Sequence, residues 1–332
     1  MAATRTGLIA TGSYLPKDEV GNAEIAARAG VTAEWIERKT EIVSRRYAAP
    51  DEATSDLATH AARNALDQAG LTADAIDYLV VATSTGDFPQ PPTSYLVQDA
   101  LGAFRAACFD INVVCSGFVY ALEVARSLTA GRPGSRALVI GADLYSRILD
   151  FEDRRTAVLF ADGAGAALLG PVEEPFGLLG ADLVSRGDAH DLIRVEAGGS
   201  RNPASAATLA EGGHFFRMNG RGVRDFVAEH VPPALSALTR RLGVATEEID
   251  HFVPHQANGV MLRELVGSAG LDHAVTHRTL HKYGNVGSAS VPVALDEAHR
   301  DGAFSPGDLV LLAGFGGGMS IGSALLRWGV AA

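Results

Sequence analysis

Short apolar runs alternate with segments of helical period along most of this 332-residue chain, and one such pattern occurs twice. Leu71-Thr-Ala-Asp-Ala-Ile76-Asp77-Tyr-Leu-Val-Val returns as Val244-Ala-Thr-Glu-Glu-Ile249-Asp250-His-Phe-Val-Pro, at an offset of 249 − 76 = 173 residues. Each copy is followed by a segment of helical character and then by another apolar strand. In the first half these are Cys115-Ser-Gly-Phe-Val-Tyr-Ala-Leu and Arg136-Ala-Leu-Val-Ile-Gly-Ala. In the second they are Asn285-Val-Gly-Ser-Ala-Ser-Val-Pro-Val-Ala-Leu and Asp308-Leu-Val-Leu-Leu-Ala-Gly, at offsets of 285 − 115 = 170 and 308 − 136 = 172. Period-free apolar strands between helices predict βαβ units and a mainly parallel sheet covered on both faces. Two halves built this way predict a pseudo-twofold α/β double domain, divided as residues 1–172 and 173–332. Chance likeness between two βαβ units would not keep the Ile-Asp pair and three spacings together.

Composition narrows the function. The formal net charge of −11 disfavours nucleic acid as a partner, since that role calls for a basic stripe. An acidic partner stays open, because a local basic patch can sit on an acidic protein. Two cysteines, Cys108 and Cys115, are too few for a secreted disulfide scaffold, so a reducing, cytoplasmic setting is expected. The first residues lack the apolar core of a signal peptide. The stretch from Leu309 to Leu326 is apolar but crowded with glycine, which predicts two buried strands around a tight turn, not a membrane span. The Pro-rich Phe88–Thr93 and the Gly/Ser/Ala-rich Gly198–Gly213 read as long loops.

Three polar residues stand at element ends. Cys115 follows the apolar run Phe109–Val114 and precedes a helical pattern, so the positive end of a helix dipole is expected to lower its pKa and favour the thiolate. A small buried hydrophobe is the other reading of a free cysteine, and the one that fits Cys108. His255 ends the strand-like Ile249–Val253 just past Pro254, and Asn285 opens a helix as the symmetry counterpart of Cys115. A core histidine and an N-cap are their bland readings. Ligands of open parallel sheets bind at the carboxyl ends of strands, where all three residues lie. The glycines of Gly314-Phe-Gly-Gly-Gly-Met would let backbone amides approach a ligand oxygen. Neither this run nor Asp162-Gly-Ala-Gly165 has the lysine or flanks of a nucleotide-phosphate loop. The spacings His251/His255 and His277/His281 lack a completing glutamate, so no metal site is read.

Four motifs in order, Cys115-Ser-Gly-Phe, Val253-Pro-His-Gln-Ala-Asn258, Tyr283-Gly-Asn-Val-Gly-Ser-Ala-Ser290 and Gly314-Phe-Gly-Gly-Gly318, resemble the β-ketoacyl-acyl-carrier-protein synthase III branch of the thiolase-like condensing enzymes. The resemblance covers nearly the whole chain. It implies an αβαβα five-layer fold and a homodimer. It also implies that Cys115 accepts an acyl group while His255 and Asn285 stabilise the enolate formed on decarboxylation. By the same resemblance the amides of Cys115 and Gly317 form an oxyanion hole, and Phe160 and Phe315 pack near the cysteine. Phe88 approaches the partner's pocket, and Trp35 and Arg154 contact coenzyme A, although helix packing also accounts for Trp35. Four positions depart from the pattern. Val260 and Asp225 replace an arginine and a lysine associated with carrier-protein docking, Lys39 replaces an arginine, and Glu41 a glycine. These departures imply a specialised relative, serving a polyketide or other secondary pathway, that uses coenzyme A thioesters or a dedicated carrier.

The function expected is transfer of an acyl group from coenzyme A or a carrier onto Cys115, then decarboxylative condensation with a malonyl thioester, with no metal or redox cofactor. One alternative within the fold passes the acyl group to a hydroxyl or amine without condensation. A papain-like cysteine hydrolase conflicts with the βαβ repeat and lacks its local cysteine signature. A non-catalytic acyl-binding protein has no need of all three polar residues. The acyl chain itself is not legible.

Overall fold

The computed structural model describes residues 4–330, and its elements form two halves of like order. The first runs β1 (Thr4–Tyr14), β2 (Asp18–Gly21), α1 (Asn22–Ala29), α2 (Ala33–Thr40), β3 (Ser44–Tyr47) and α3 (Thr54–Ala69). It continues through β4 (Tyr78–Ala82), α4 (Thr93–Leu101), β5 (Ala107–Ile111), α5 (Gly117–Ala130), β6 (Ala137–Leu144) and β7 (Asp162–Glu173). The second runs β8 (Gly177–Ser185), β9 (Ile193–Val195), α6 (Ala206–Ala210), β10 (Phe216–Met218), α7 (Gly220–Leu242) and β11 (His251–Pro254). It closes with α8 (Gly259–Ser268), β12 (Val275–Thr276), α9 (Leu280–Tyr283), α10 (Ser290–Arg300), β13 (Leu309–Gly316) and β14 (Ser320–Arg327).

The two main sheets share one topology. The first has the order β1-β7-β6-β4-β5 and the second, read the same way, β8-β14-β13-β11-β12. In each, the last three strands are parallel and the first two join antiparallel. All strands of the first sheet lie within residues 4–173 and all of the second within 177–327. The glycine-crowded stretch near the C-terminus is the β13–β14 hairpin, and among the described residues no helix is long and apolar enough to cross a membrane.

Side-chain alternation along these strands sets the layers. Val80, Ala82 and Val139 face one way and meet Phe118, Val119 and Leu122 of α5. Val291, Ala294 and Leu295 of α10 share that core with Val310 and Leu312 of the second sheet. Leu79, Val81, Leu138 and Ile140 face the other way onto α3, and Phe252, Leu311 and Leu325 face α7 and α8. The result is five layers, αβαβα, with α5 and α10 between the sheets. A helix pressed from both sides buries most of its surface; α10 does so with Asp296 and His299 bonded to Thr11 and Ser13. Each fully buried Val, Leu, Ile or Phe adds about 1.5–3 kcal/mol relative to exposure, which holds the central helices and the turns before them in register.

The symmetry corrects one expectation. The 3-10 turn Val114–Ser116 precedes α5 as the turn Gly287–Ala289 precedes α10, so the counterpart of Cys115 is Ser288 (288 − 115 = 173). Asn285 corresponds instead to Asn112, three residues before the cysteine. It lies ahead of the helix in a backbone bridge to Phe160, so it neither opens α10 nor caps it. Glu41, where the resemblance leads one to expect glycine, ends α2 in the left-handed region at φ 61°. Its carboxylate pairs with Arg263 and Arg278, and this ties α2 to the α8 region.

Candidate active site

Cys115, His255 and Asn285 converge on one cavity of about 1090 Å³, which Phe160 and Phe315 also line. The three polar residues are buried, with 4%, 2% and 4% of their surfaces exposed. Cys115 lies in the turn between β5 and α5, behind Val114 at φ 45°. A β-branched residue in that region is strained by on the order of 1–3 kcal/mol, and such strain persists only where packing imposes it. The Gly314–Gly318 run supplies that packing: a Cβ on Gly316 would meet Cys115 Cβ and Sγ at 2.9 and 3.0 Å. The backbone amides of Gly317 and Cys115 favour the charged form of the sulfur.

His255 follows β11, with its amide bonded to the Ala313 carbonyl at 2.7 Å and its ring edge-on to Phe315. Its Nδ1 lies 2.6 Å from Ser290 Oγ at the start of α10. Ser290 Oγ also accepts from the Gln256 amide at 3.3 Å, and Nδ1 is the acceptor to which its own proton is assigned, no other standing near it among the described residues. That assignment puts the ring hydrogen on Nε2 and makes the imidazole a donor toward the cavity. Asn285 is held by backbone bonds to Leu159 and Ala161, and its Oδ1 accepts from the Gly287 amide at 3.0 Å. Its NH₂ is therefore the polar group left for the cavity. Two neutral donors thus share the cavity with the Cys115 sulfur.

Burial decides the charge states. It pushes the Cys115 thiol up to about 12, and the Asp143 carboxylate adds to the rise against the donors at the sulfur. The expected lowering by the α5 dipole is thus overcome by loss of solvent, and the resting group is the thiol. Burial also pushes His255 down to about 3, so its resting form is neutral. Cys108, on β5, is only partly buried and packs toward α3, outside the cavity.

At the mouth stand Trp35 and Arg154, with the guanidinium 5.9 Å from the indole ring centroid. Arg155, Arg194, Arg217 and Arg224 there pair with carboxylates. Arg38, Lys39, Arg154 and Arg221 also line the mouth and have no carboxylate partner among the described residues. Val260 lines the cavity, whereas Asp225 is exposed beside it on α7. Phe88 is 58% exposed on the loop before α4, away from its own chain's cavity.

Other contributors were not legible in the sequence. The small β9–β10 pair brings Ile193, Arg194, Arg217 and Met218 to the cavity wall. Behind the cysteine, Tyr145 packs against Phe160 and Phe216 with ring centroids 4.6 and 5.4 Å away. Asp143 and Tyr145 follow the strand-end rule at the close of β6, a signal that could have found them. His251 and His277 pair with each other at 3.1 Å, away from this site.

Two family models match the chain. That for the 3-oxoacyl-[acyl-carrier-protein (ACP)] synthase III C terminal covers residues 239–328, and that for 3-oxoacyl-[acyl-carrier-protein (ACP)] synthase III covers residues 109–187. Acetoacetyl CoA synthase NphT7 of Streptomyces sp. (strain CL190) is 52% identical over 99% of this chain and 100% of its own. The beta-ketoacyl-[acyl-carrier-protein] synthase III of Clostridioides difficile (strain 630) is 41% identical over 98% and 99%. The crystal structure of 3-oxoacyl-(acyl carrier protein) synthase III from Pseudomonas aeruginosa PAO1 superposes with a TM-score of 0.90 at 34% identity, over 99% of this chain and 100% of that one.

Proposed function

The chain belongs to the 3-oxoacyl-[acyl-carrier-protein] synthase III family of condensing synthases, and from that premise we propose how its own residues divide the work. The enzyme joins an acyl group to a malonyl thioester by decarboxylative Claisen condensation. Cys115 is the acyl acceptor. Its sulfur attacks the carbonyl of an acyl-coenzyme A, the thiol of coenzyme A leaves, and the amides of Cys115 and Gly317 hold the oxyanion between. The malonyl thioester then binds with its thioester oxygen between His255 Nε2–H and the Asn285 amide. Carbon dioxide leaves, the enolate carbon attacks the acyl-cysteine carbonyl, and the sulfur departs with a β-ketoacyl thioester released.

One observation carries this division: a sulfur nucleophile and two neutral donors, from opposite halves, share a single buried cavity. A plain acyl transfer to a hydroxyl or amine has no enolate for those donors to hold. The reaction as drawn calls on no metal or redox cofactor.

The mouth favours coenzyme A on both substrates. Four cations without carboxylate partners, on a chain of net charge −11, form a local basic site for a phosphate-bearing thioester. A relative named acetoacetyl CoA synthase supports a coenzyme A product and a two-carbon acyl group. Phe160 lines the cavity and is backed by Tyr145 and Phe216, an aromatic wall that also fits a short chain. An acidic carrier protein would meet Val260 and Asp225 where the pattern expects basic residues. Such substrates suit the cytoplasm. A second copy completes the assembly, because β5 is an open sheet edge flanked by exposed Phe88, Tyr95 and Phe104, and Phe88 then reaches the partner's cavity.

Product analysis by mass spectrometry tests the reading, with acetyl-coenzyme A and either malonyl-coenzyme A or a malonylated generic carrier protein. Acetoacetyl-coenzyme A with release of carbon dioxide is expected, with slow use of the carrier. Val260→Arg combined with Asp225→Lys should improve the carrier reaction, most at low salt. Efficient use of the carrier by the wild type, unchanged in the double variant, would overturn the substrate assignment. Esters or amides without carbon dioxide would overturn condensation.

A further inference from the structure

Two helices from opposite halves, α2 and α8, meet along one side of the cavity mouth. Trp35, Arg38 and Lys39 of α2 line it, and so do Asn258, Val260 and Met261 at the start of α8. With eight residues, α2 is too short a helix to stand alone, so its contacts decide where those side chains stand. Its middle is seated by Ile36, buried among Val20, Ile25 and Ala29. Its last turn, the one that bears Arg38 and Lys39, reaches across to the second half.

Asn258 caps α8 with Oδ1, which accepts from the amides of Val260 and Met261 at 2.9 and 3.2 Å. Its Nδ2 donates to Lys39 O at 3.0 Å. Glu41 then ends α2. Its amide donates to Glu37 O at 2.7 Å, and its backbone takes φ 61°, where a Cβ is strained and glycine is not. The carboxylate lies between the guanidiniums of Arg263 on α8 and Arg278 ahead of α9. Room for it comes from Gly259, the first residue of α8, where a Cβ would meet Glu41 Cβ and Cδ at 2.6 Å. A charged side chain thus occupies a glycine conformation on one side of the seam, and a glycine makes space for it on the other. Beyond Glu41 the chain is fixed, with Ile42 buried and the Val43 amide bonded to His281 O at 3.0 Å. The carboxylate therefore acts on the helix before it. Glu41, Arg263 and Arg278 do not line the cavity, so they reach the mouth only through the elements that carry them. One carboxylate serves two guanidiniums, and its removal leaves two like charges side by side.

We propose that Glu41 is a positioning residue for coenzyme A: its carboxylate, held by Arg263 and Arg278, fixes the end of α2 against α8 and so sets where Trp35, Arg38 and Lys39 stand to receive the nucleotide end of the thioester. The proposal rests on the reading of the mouth as a coenzyme A site.

The test compares acetyl-coenzyme A with acetyl-pantetheine, a thioester that lacks the nucleotide, and follows amide hydrogen exchange in Ala33–Thr40. Glu41→Gly removes the carboxylate and suits the backbone, so the denaturant midpoint stays at or above that of the parent. The KM for acetyl-coenzyme A rises roughly 3- to 10-fold with kcat within about twofold, and exchange in α2 becomes faster. The kcat/KM for acetyl-pantetheine does not change. Glu41→Arg, which gathers three guanidiniums, raises the KM further, and Arg263→Glu in the same chain brings it back toward the parent. A tie that serves stability alone would lower the midpoint and leave the KM in place. A KM for acetyl-coenzyme A within about twofold of the parent in Glu41→Gly, or α2 exchange at the parent's rate, would overturn the proposal. So would a raised KM that the charge exchange fails to reverse. Should an arginine variant fail to fold, Glu41→Gly decides the matter. Equal KM values for the two thioesters in the parent would instead overturn the coenzyme A reading of the mouth, while exchange in α2 would still judge the clamp.

Discussion

Val114-Cys115-Ser116 and Gly287-Ser288-Ala289 occupy the same place in the two halves, each a single 3-10 turn ahead of a central helix. Both bring their first residue into the left-handed region, at φ 45° and 57°. Each is clamped by a glycine of the other half: a Cβ on Gly141 would meet Ser288 O at 2.5 Å, and one on Gly314 would meet Ser116 Cα at 2.9 Å. The chemistry diverges from there. In the second turn glycine takes the positive φ without strain, and Ser288 spends its hydroxyl on Ala82 O and its amide on Asp143. In the first, a valine bears the strain and Cys115 is left facing the cavity. One backbone serves in one half to lock the sheets together and in the other to turn a cysteine to the cavity.

Moving the sulfur between the turns gives the largest effect. Cys115→Ala abolishes the acyl adduct from acetyl-coenzyme A by intact-protein mass spectrometry, and adding Ser288→Cys does not restore it. Cys108→Ala leaves the adduct in place. Recovery of the adduct at position 288 would erase the distinction between the turns. Next in size is the backbone itself. Gly287→Val drives a side chain into Asp143 and Tyr145 and is expected to cost on the order of 3 kcal/mol or more in denaturant unfolding. Val114→Gly trades relief of strain against about 0.5–1 kcal/mol of glycine entropy, so stability is unchanged or slightly higher while self-acylation slows. Equal destabilisation by the two changes would show that the first turn is not strained.

The smallest effect is on charge near neutral pH. With His255 held down at about 3 and Cys115 up at about 12, neither group changes charge near neutrality. The self-acylation rate should therefore follow the thiolate fraction, rising steadily from roughly pH 6 to pH 8 without a break. A break near 6.5 would mean that His255 titrates as in water. The sign for stability follows from the same value. A depressed folded pKa favours the neutral imidazole, so its contribution is present above 6.5 and is lost as pH falls toward 3. His277, held down at about 4, acts in the same direction.

The double-domain plan was legible because fully covered parallel strands are written as uninterrupted apolar runs, and two halves doubled the signal. The counterpart of Cys115 was misjudged by three residues because the repeat was aligned on polar residues and not on the turns, where Val114 and Gly287 mark the register. The charge of Cys115 was misjudged because helix position can be read from sequence and burial cannot. Tyr145 and Ser290 escaped notice because their contacts join residues remote in the chain. The β9–β10 wall escaped because three-residue strands show no period.

The central claim is that the halves divide the reaction, with the first loading the acyl group and the second holding the enolate. Asn285→Ala separates the two steps. The measurement is paired: the adduct mapped to its peptide after acetyl-coenzyme A, and carbon dioxide released from malonyl-coenzyme A by the same preparation. The account predicts an adduct on Cys115 at near wild-type extent, with carbon dioxide release down roughly 100- to 1000-fold. Loss of the adduct together with decarboxylation, or decarboxylation at the wild-type rate, would contradict it.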